Sequence, residues 1–211
     1  MWWNIIISIF SNLGAFLLKR LYLILNKDKD SINLPSEEIK NNDMVYEDNL
    51  DKSDKENISF VAKEFDNDEK IDLSSKELYI LPDYLKDLTD LKALYLYGNK
   101  IESLPDFIGN LKNLELLDLT GNQLTELPDA IGNLSNLKKL DISFNKLKKL
   151  PDSIGKLTNL EILNLMHNEL TALPYSIGNL FNLKELHLVG NKLTPLPGSI
   201  GNLSNLEVIN L

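Results

Sequence analysis

From residue 68 to its end the chain repeats itself every 23 residues. A fixed period of that length decides the fold before any single segment is judged helix or strand. One unit, running from Leu111 to Asn133, reads LKNLELLDLTGNQLTELPDAIGN, and units beginning at Leu88, Leu134, Leu157 and Leu180 match it. A degenerate unit precedes them, with Ile71, Leu73, Leu78, Leu81 and Pro82 in phase but Lys76 where the others carry asparagine. A last unit starts at Leu203 and reaches Leu211 inside its own strand. No single unit can bury its apolar face alone, whereas stacked units bury a continuous core.

Each position in the unit has a physical reason. Leu117 and Leu119 alternate about Asp118, the pattern of a short strand with leucines inward and the intervening side chain outward. Successive strands then line up as a parallel sheet. The chain must leave that sheet with its polar main-chain groups buried, and an inward asparagine can bond them. Asn99, Asn122, Asn145, Asn168 and Asn191 recur at that place and are expected to form a structural ladder rather than a catalytic or glycosylated row. In the back half of the unit Pro128 fixes the start of the return arc, Ile131 fills the core, and Gly132 is expected to allow a tight or positive-φ turn.

The core Leu-x-x-Leu-x-Leu-x-x-Asn-x-Leu of Leu114, Leu117, Leu119, Asn122 and Leu124 resembles the leucine-rich repeat. The continuation through Leu127, Pro128, Ile131, Gly132 and Asn133 is similar to the intracellular class found in Ras-suppressor-like, scribble-like and plant Ras-group proteins and in many bacterial repeat proteins. The resemblance covers about residues 68–211. It implies an α/β solenoid: a curved parallel sheet with an irregular or short helical convex side. It also implies a non-enzymatic scaffold or adaptor that binds a protein, with a link to signalling. Such repeats specify fold far better than role.

With the scaffold positions fixed, binding information must lie in the variable residues facing the concave surface. Three columns emerge. The central one is Asp72, Tyr95, Asp118, Asp141, Asn164, His187 and Asn210. The flanking ones are Lys70, Ala93, Leu116, Lys139, Ile162, Glu185 and Val208, and Ser74, Tyr97, Thr120, Ser143, Met166 and Val189. The expected partner contacts are Tyr95 and Tyr97 as aromatic anchors and Leu116, Ile162, Met166 and Val189 as apolar area. Asp118 and Asp141 make an acidic centre, with Lys139, Asn164, Glu185 and His187 around them. A partly basic, partly apolar protein fits that composition.

Enzymatic readings find little support. Asp118 and Asp141 should lie one strand spacing apart, but an open sheet gives a carboxylate pair no pocket that excludes water. His167 and His187 are the only histidines and occupy different strand positions, without a third metal ligand. There is no cysteine, which excludes disulfides and thiolate chemistry. Arg20 is the only arginine, so bidentate phosphate clamps are nearly unavailable. The formal net charge of −9 argues against a nucleic-acid footprint. No cofactor, metal or small-molecule substrate is expected.

Two segments precede the repeats. Residues 1–25, MWWNIIISIFSNLGAFLLKRLYLIL, are long enough as a helix to span a hydrocarbon core of roughly 20 residues. They read as a membrane anchor, with an interfacial helix or a cap on the first repeat as alternatives. Lys19 and Arg20 favour a cytoplasmic C-terminal side, so the expected location is membrane-associated with cytoplasmic repeats, or else soluble cytoplasm. Residues 26–67 hold 12 acids and 6 lysines among few apolar residues, which predicts an extended, flexible linker. Alternatives to the adaptor are a targeting arm of a larger enzyme or effector, and a structural surface protein.

Overall fold

The computed structural model describes residues 69–211; the segments 1–25 and 26–67 lie outside the described residues. Seven three-residue strands form one parallel sheet in sequence order. They are β1 (Lys70–Asp72), β2 (Ala93–Tyr95), β3 (Leu116–Asp118), β4 (Lys139–Asp141), β5 (Ile162–Asn164), β6 (Glu185–His187) and β7 (Val208–Asn210). All neighbours share one register, so Leu116 sits beside Lys139, Leu117 beside Leu140 and Asp118 beside Asp141. Each turn of the solenoid begins at the residue before its strand: turn 1 is 69–91, turn 2 is 92–114, turn 3 is 115–137, turn 4 is 138–160, turn 5 is 161–183, turn 6 is 184–206 and turn 7 is 207–211.

A side chain caps the end of four of the strands. The amide of Thr120 donates to Asp118 Oδ1 at 2.9 Å, and the same bond joins Ser74 to Asp72 at 2.9 Å, Ser143 to Asp141 at 3.0 Å and Met166 to Asn164 at 3.1 Å. A local acceptor of this kind takes the amide away from the ladder. Pairing then continues only as separate bonds, such as Leu119 N to Asp141 O at 2.7 Å and Gly121 N to Ser143 O at 2.9 Å. The column of Ser74, Tyr97 and Thr120, expected on the strands, therefore lies just past them.

Each return arc is one turn of 3-10 helix, from Asp83–Asp87 in turn 1 to Gly198–Asn202 in turn 6. A proline with φ near −70° precedes every one, as Pro128 does before Asp129–Asn133. The ring fixes φ where no donor is needed. Between sheet and arcs lies the core: Leu114, Leu117, Leu119, Leu124 and Ile131 are wholly buried, and their counterparts in turns 4 and 5 match them. Burying one such side chain contributes about 1.5–3 kcal/mol. In turn 7 the equivalent residues are open, with Ile209 39% and Leu211 72% exposed.

The role expected of Gly132 needs correcting. It is not a positive-φ residue; among the described residues the left-handed glycines are Gly98, Gly121 and Gly190. Gly132 is small because the next turn touches it: a Cβ there would lie 2.4 Å from the carbonyl oxygen of Ser153. Gly155 and Gly178 meet Ser176 and Ser199 at the same 2.4 Å. Backbone contact between successive arcs, rather than turn conformation, is what excludes a side chain.

Candidate functional site

The asparagine ladder is bonded throughout. Asn145 donates from Nδ2 to the carbonyls of Leu119 at 2.9 Å, Ile142 at 3.2 Å and Ser143 at 3.2 Å, and its Oδ1 accepts from Leu124 N at 2.9 Å. Asn122 and Asn168 repeat the arrangement one turn away on either side. Asn191, less buried, keeps two carbonyls and the Leu170 amide. Asn99 serves the degenerate first turn, accepting from both Lys76 N and Leu78 N at 3.0 Å. These side chains are consumed by the scaffold and offer nothing to a ligand.

The open face of the sheet carries the variable columns. Register places Tyr95 beside Asp118, Asp118 beside Asp141, Asp141 beside Asn164, and Asn164 beside His187. Leu116, Lys139, Ile162 and Glu185 run parallel to them, and Tyr97, Met166 and Val189 stand past the strand ends. Lys139 and Tyr97 are exposed, and the other expected contact residues are half-buried. Ala93 and Ser143 are buried and offer no surface.

The acidic centre is partly spoken for. Asp141 Oδ1 accepts from the amide and the hydroxyl of Ser143, the latter at 2.6 Å, and Oδ2 accepts from Asn164 Nδ2 at 2.9 Å. Asp118 Oδ1 holds the Thr120 amide, and among the described residues Oδ2 has no donor. His187 is clamped between Glu185 Oε2 at 3.0 Å and Asn210 Nδ2 at 2.8 Å. Because Asn210 donates to Nδ1, Nε2 is the protonated nitrogen and donates to Glu185. Among the described residues no group of His, Cys, Asp and Glu could hold a metal ion.

One feature of this face escaped the sequence reading. Just beyond the third column, Ser75, Gly98, Gly121, Phe144, His167 and Gly190 all adopt positive φ. This region disfavours a side chain by about 1–2 kcal/mol, yet two turns carry large rings there. Phe144 is 55% exposed, and its ring stacks on His167 with centroids 4.5 Å apart and planes 25° apart. Gly190 makes room for them, since a Cβ on it would lie 2.6 Å from His167 Nδ1. Two rings interrupting a column otherwise of glycine and serine were the available signal.

A second missed feature borders the strands. The residue before each strand alternates in charge through Glu69, Lys92, Glu115, Lys138, Glu161, Lys184 and Glu207. Lys138 pairs with Glu115 at 2.8 Å and Lys184 with Glu161 at 2.6 Å. The hydrogen bonds first, then the charges, hold Glu115 and Glu161 below the usual carboxylate range and raise both lysines. Beside this column Asn159 and Asn182 donate to carbonyls one turn back at 2.8 Å. Together the two columns line a shallow polar groove of about 550 Å³.

A family model described as a leucine-rich repeat region matches residues 71–147 and 129–211. The chain belongs to the leucine-rich repeat family. No curated protein matches it significantly. Among solved structures, a leucine-rich repeat protein of Leptospira interrogans is 41% identical with a TM-score of 0.63, over 64% of this chain and 34% of that one. The Arabidopsis receptor kinase HAESA, solved with the peptide hormone IDA and the co-receptor SERK1, is 40% identical with a TM-score of 0.60, over 67% and 25%. An internalin of Listeria monocytogenes is 26% identical with a TM-score of 0.54, over 63% and 38%. The chain thus aligns with a quarter to two fifths of the length of these leucine-rich repeat proteins.

Proposed function

We propose that this leucine-rich repeat domain is a non-enzymatic scaffold that binds a protein partner on the open face of its sheet, across strands β2 to β6. The observation that carries the reading is the Phe144–His167 stack. Two rings are held at positive φ, exposed, where glycine would serve the fold better. Local strain of this kind persists where the surface has a use for it. Tyr97 and the half-buried Tyr95, Leu116, Ile162 and Met166 add aromatic and apolar area nearby, as partner-binding surfaces do. Rigid presentation from a hydrogen-bonded scaffold lowers the entropy lost on binding. The neighbouring receptor kinase, solved with a peptide hormone and a co-receptor, supports a protein or peptide as the ligand class.

The same reading attaches the scaffold to a membrane through residues 1–25, on the strength of their apolar sequence alone. Among the described residues no helix is long and apolar enough to cross a membrane. A role in signalling is a further part of the proposal; a targeting arm of a larger enzyme or effector, and a structural surface protein, are the alternatives to it.

The test is crosslinking with mass spectrometry on the full chain in its host, comparing native protein with a Phe144→Gly, His167→Gly variant. The variant should fold normally. Relief of about 1–2 kcal/mol of left-handed strain per residue offsets the lost stack, about 0.5–1.5 kcal/mol, and the added unfolded-state freedom of glycine. Partner recovery should fall at least tenfold. Recovery undiminished in a folded variant would remove the aromatic pair from the site.

A further inference from the structure

Two columns of side chains bridge successive turns, and both do so in the same phase. In the column before the strands, Glu69 pairs with Lys92 at 2.7 Å, Glu115 with Lys138 and Glu161 with Lys184. In the column after the ladder asparagines, Glu77 pairs with Lys100 at 3.6 Å, Gln123 accepts from Lys146 at 3.2 Å and Glu169 pairs with Lys192 at 3.0 Å. Every acidic or amide partner comes from turn 1, 3 or 5 and every lysine from turn 2, 4 or 6. Among the described residues no ion pair within 4 Å joins Lys92 to Glu115, Lys138 to Glu161 or Lys146 to Glu169.

We propose that the mechanical unit of this solenoid is a pair of turns, and that the sheet flexes at alternate joints. The joints between turns 1 and 2, 3 and 4, and 5 and 6 are latched twice, once before the strand and once beyond the ladder asparagine. Those between turns 2 and 3 and between 4 and 5 lack both latches. The rest of the architecture does not alternate, because strand register and asparagine ladder are the same at every joint. Exposed pairs are individually weak, and Lys92 and Lys138 also feel Glu115 and Glu161 across the other joints, but two close pairs at one joint, against none within 4 Å at the next, bias where the stack opens.

The unlatched joint between turns 4 and 5 is spanned on the open face by Asn164 donating to Asp141 and by the Phe144–His167 stack. A partner gripping those residues would hold shut the joint that the ion pairs leave free. This step rests on the binding face proposed above; the alternation itself does not.

Amide exchange measured by NMR on the unliganded full chain tests the alternation. Leu119 and Gly121 donate across the latched joint between turns 3 and 4, and Leu165 and His167 across that between 5 and 6. Leu96 and Gly98, and Ile142 and Phe144, donate across the unlatched joints. In about 0.01 M salt, where the Debye length is about 30 Å, the second set should exchange about threefold or more faster after correction for intrinsic rates. In about 1 M salt, with a Debye length of about 3 Å, the two sets should converge. A Lys138→Ala, Lys146→Ala variant should bring Leu119 and Gly121 to the rates of Ile142 and Phe144. Equal rates at low salt, an alternation indifferent to salt, or a double variant without effect on Leu119 and Gly121 would each overturn the proposal.

Discussion

Asn164 donates its side-chain amide to Asp141 Oδ2 at 2.9 Å while its own Oδ1 caps the amide of Met166 at 3.1 Å. The protein therefore already contains both versions of its central column: a carboxylate caps the strand in turn 4 and a neutral amide does so in turn 5. Capping needs the oxygen, not the charge. The joint substitution Asp118→Asn and Asp141→Asn should accordingly fold as the native protein does, with an unchanged circular dichroism spectrum. It should weaken capture of a partly basic partner by at least tenfold, because it removes the face's central negative charge. Undiminished capture by the folded variant would show that the column is scaffold alone.

Asn145 illustrates the opposite case. Its amide satisfies three carbonyls and one main-chain amide in the buried turn. Replacing it with leucine leaves the Leu124 amide unpaired and takes one donor from each of the three carbonyls, and urea denaturation should register a loss of about 1–3 kcal/mol. A loss within error would contradict the ladder.

The arc glycines differ in a way that two alanine substitutions can expose. Gly155→Ala drives a Cβ to 2.4 Å from the Ser176 carbonyl oxygen, whereas Gly201 has nothing within 4 Å of the same point. Overpacking of this kind typically destabilises by about 1–3 kcal/mol. Gly201→Ala should stay within about 0.5 kcal/mol of the parent. Equal effects in thermal melts would mean that the arcs separate easily.

Ser153, Ser176 and Ser199 lie against Gly132, Gly155 and Gly178, their buried hydroxyls have no hydrogen-bond partner among the described residues, and turn 3 has Ala130 in the same column. Removing an unsatisfied buried hydroxyl relieves its desolvation penalty. Ser153→Ala should raise the unfolding free energy by about 1 kcal/mol, read from the denaturation midpoint at constant m-value.

The latches set a pH window. Glu115, Glu161 and Glu169 are held below the ordinary value of 4.5 by hydrogen bonds from their lysines and then by charge. A depressed carboxylate contributes stability above its unfolded value and loses it as pH falls through the folded one. Lys138 and Lys184 are raised above 10.5 for the same reasons, so their contribution is full below that value and fades as pH rises beyond it. The difference between latched and unlatched joints should persist between about pH 4.5 and 10.5 and fade on either side. Exchange ratios followed down to acid pH check it.

How far the residues foretold this structure depends on which direction they are read. Along the chain, the 23-residue period places Leu117, Leu119 and Asn122 in their observed roles, because a repeated side chain has one repeated environment. The role of Gly132 is not legible in the sequence because both a left-handed turn and a close approach favour glycine, and only the distance to Ser153 separates them. Across the turns, the alternation of Glu115 and Lys138 hides inside a column that a 23-residue alignment treats as merely variable. The Phe144–His167 stack was hidden likewise, since its two members are 23 residues apart and meet only in the assembled sheet. Asp141 was legible as outward-facing, but its engagement by Ser143 and Asn164 depends on rotamers that no pattern of letters encodes.

The alternation of charge also imposes a rule on heredity. Repeat genes lengthen and shorten by copying whole units, and one extra turn inserted after turn 3 would set glutamate beside glutamate or lysine beside lysine. Two extra turns leave every acid facing a base. Descendants of this sequence should therefore tolerate changes in turn number more readily in even steps than in odd ones, a parity written into the protein by its edge rather than by its core.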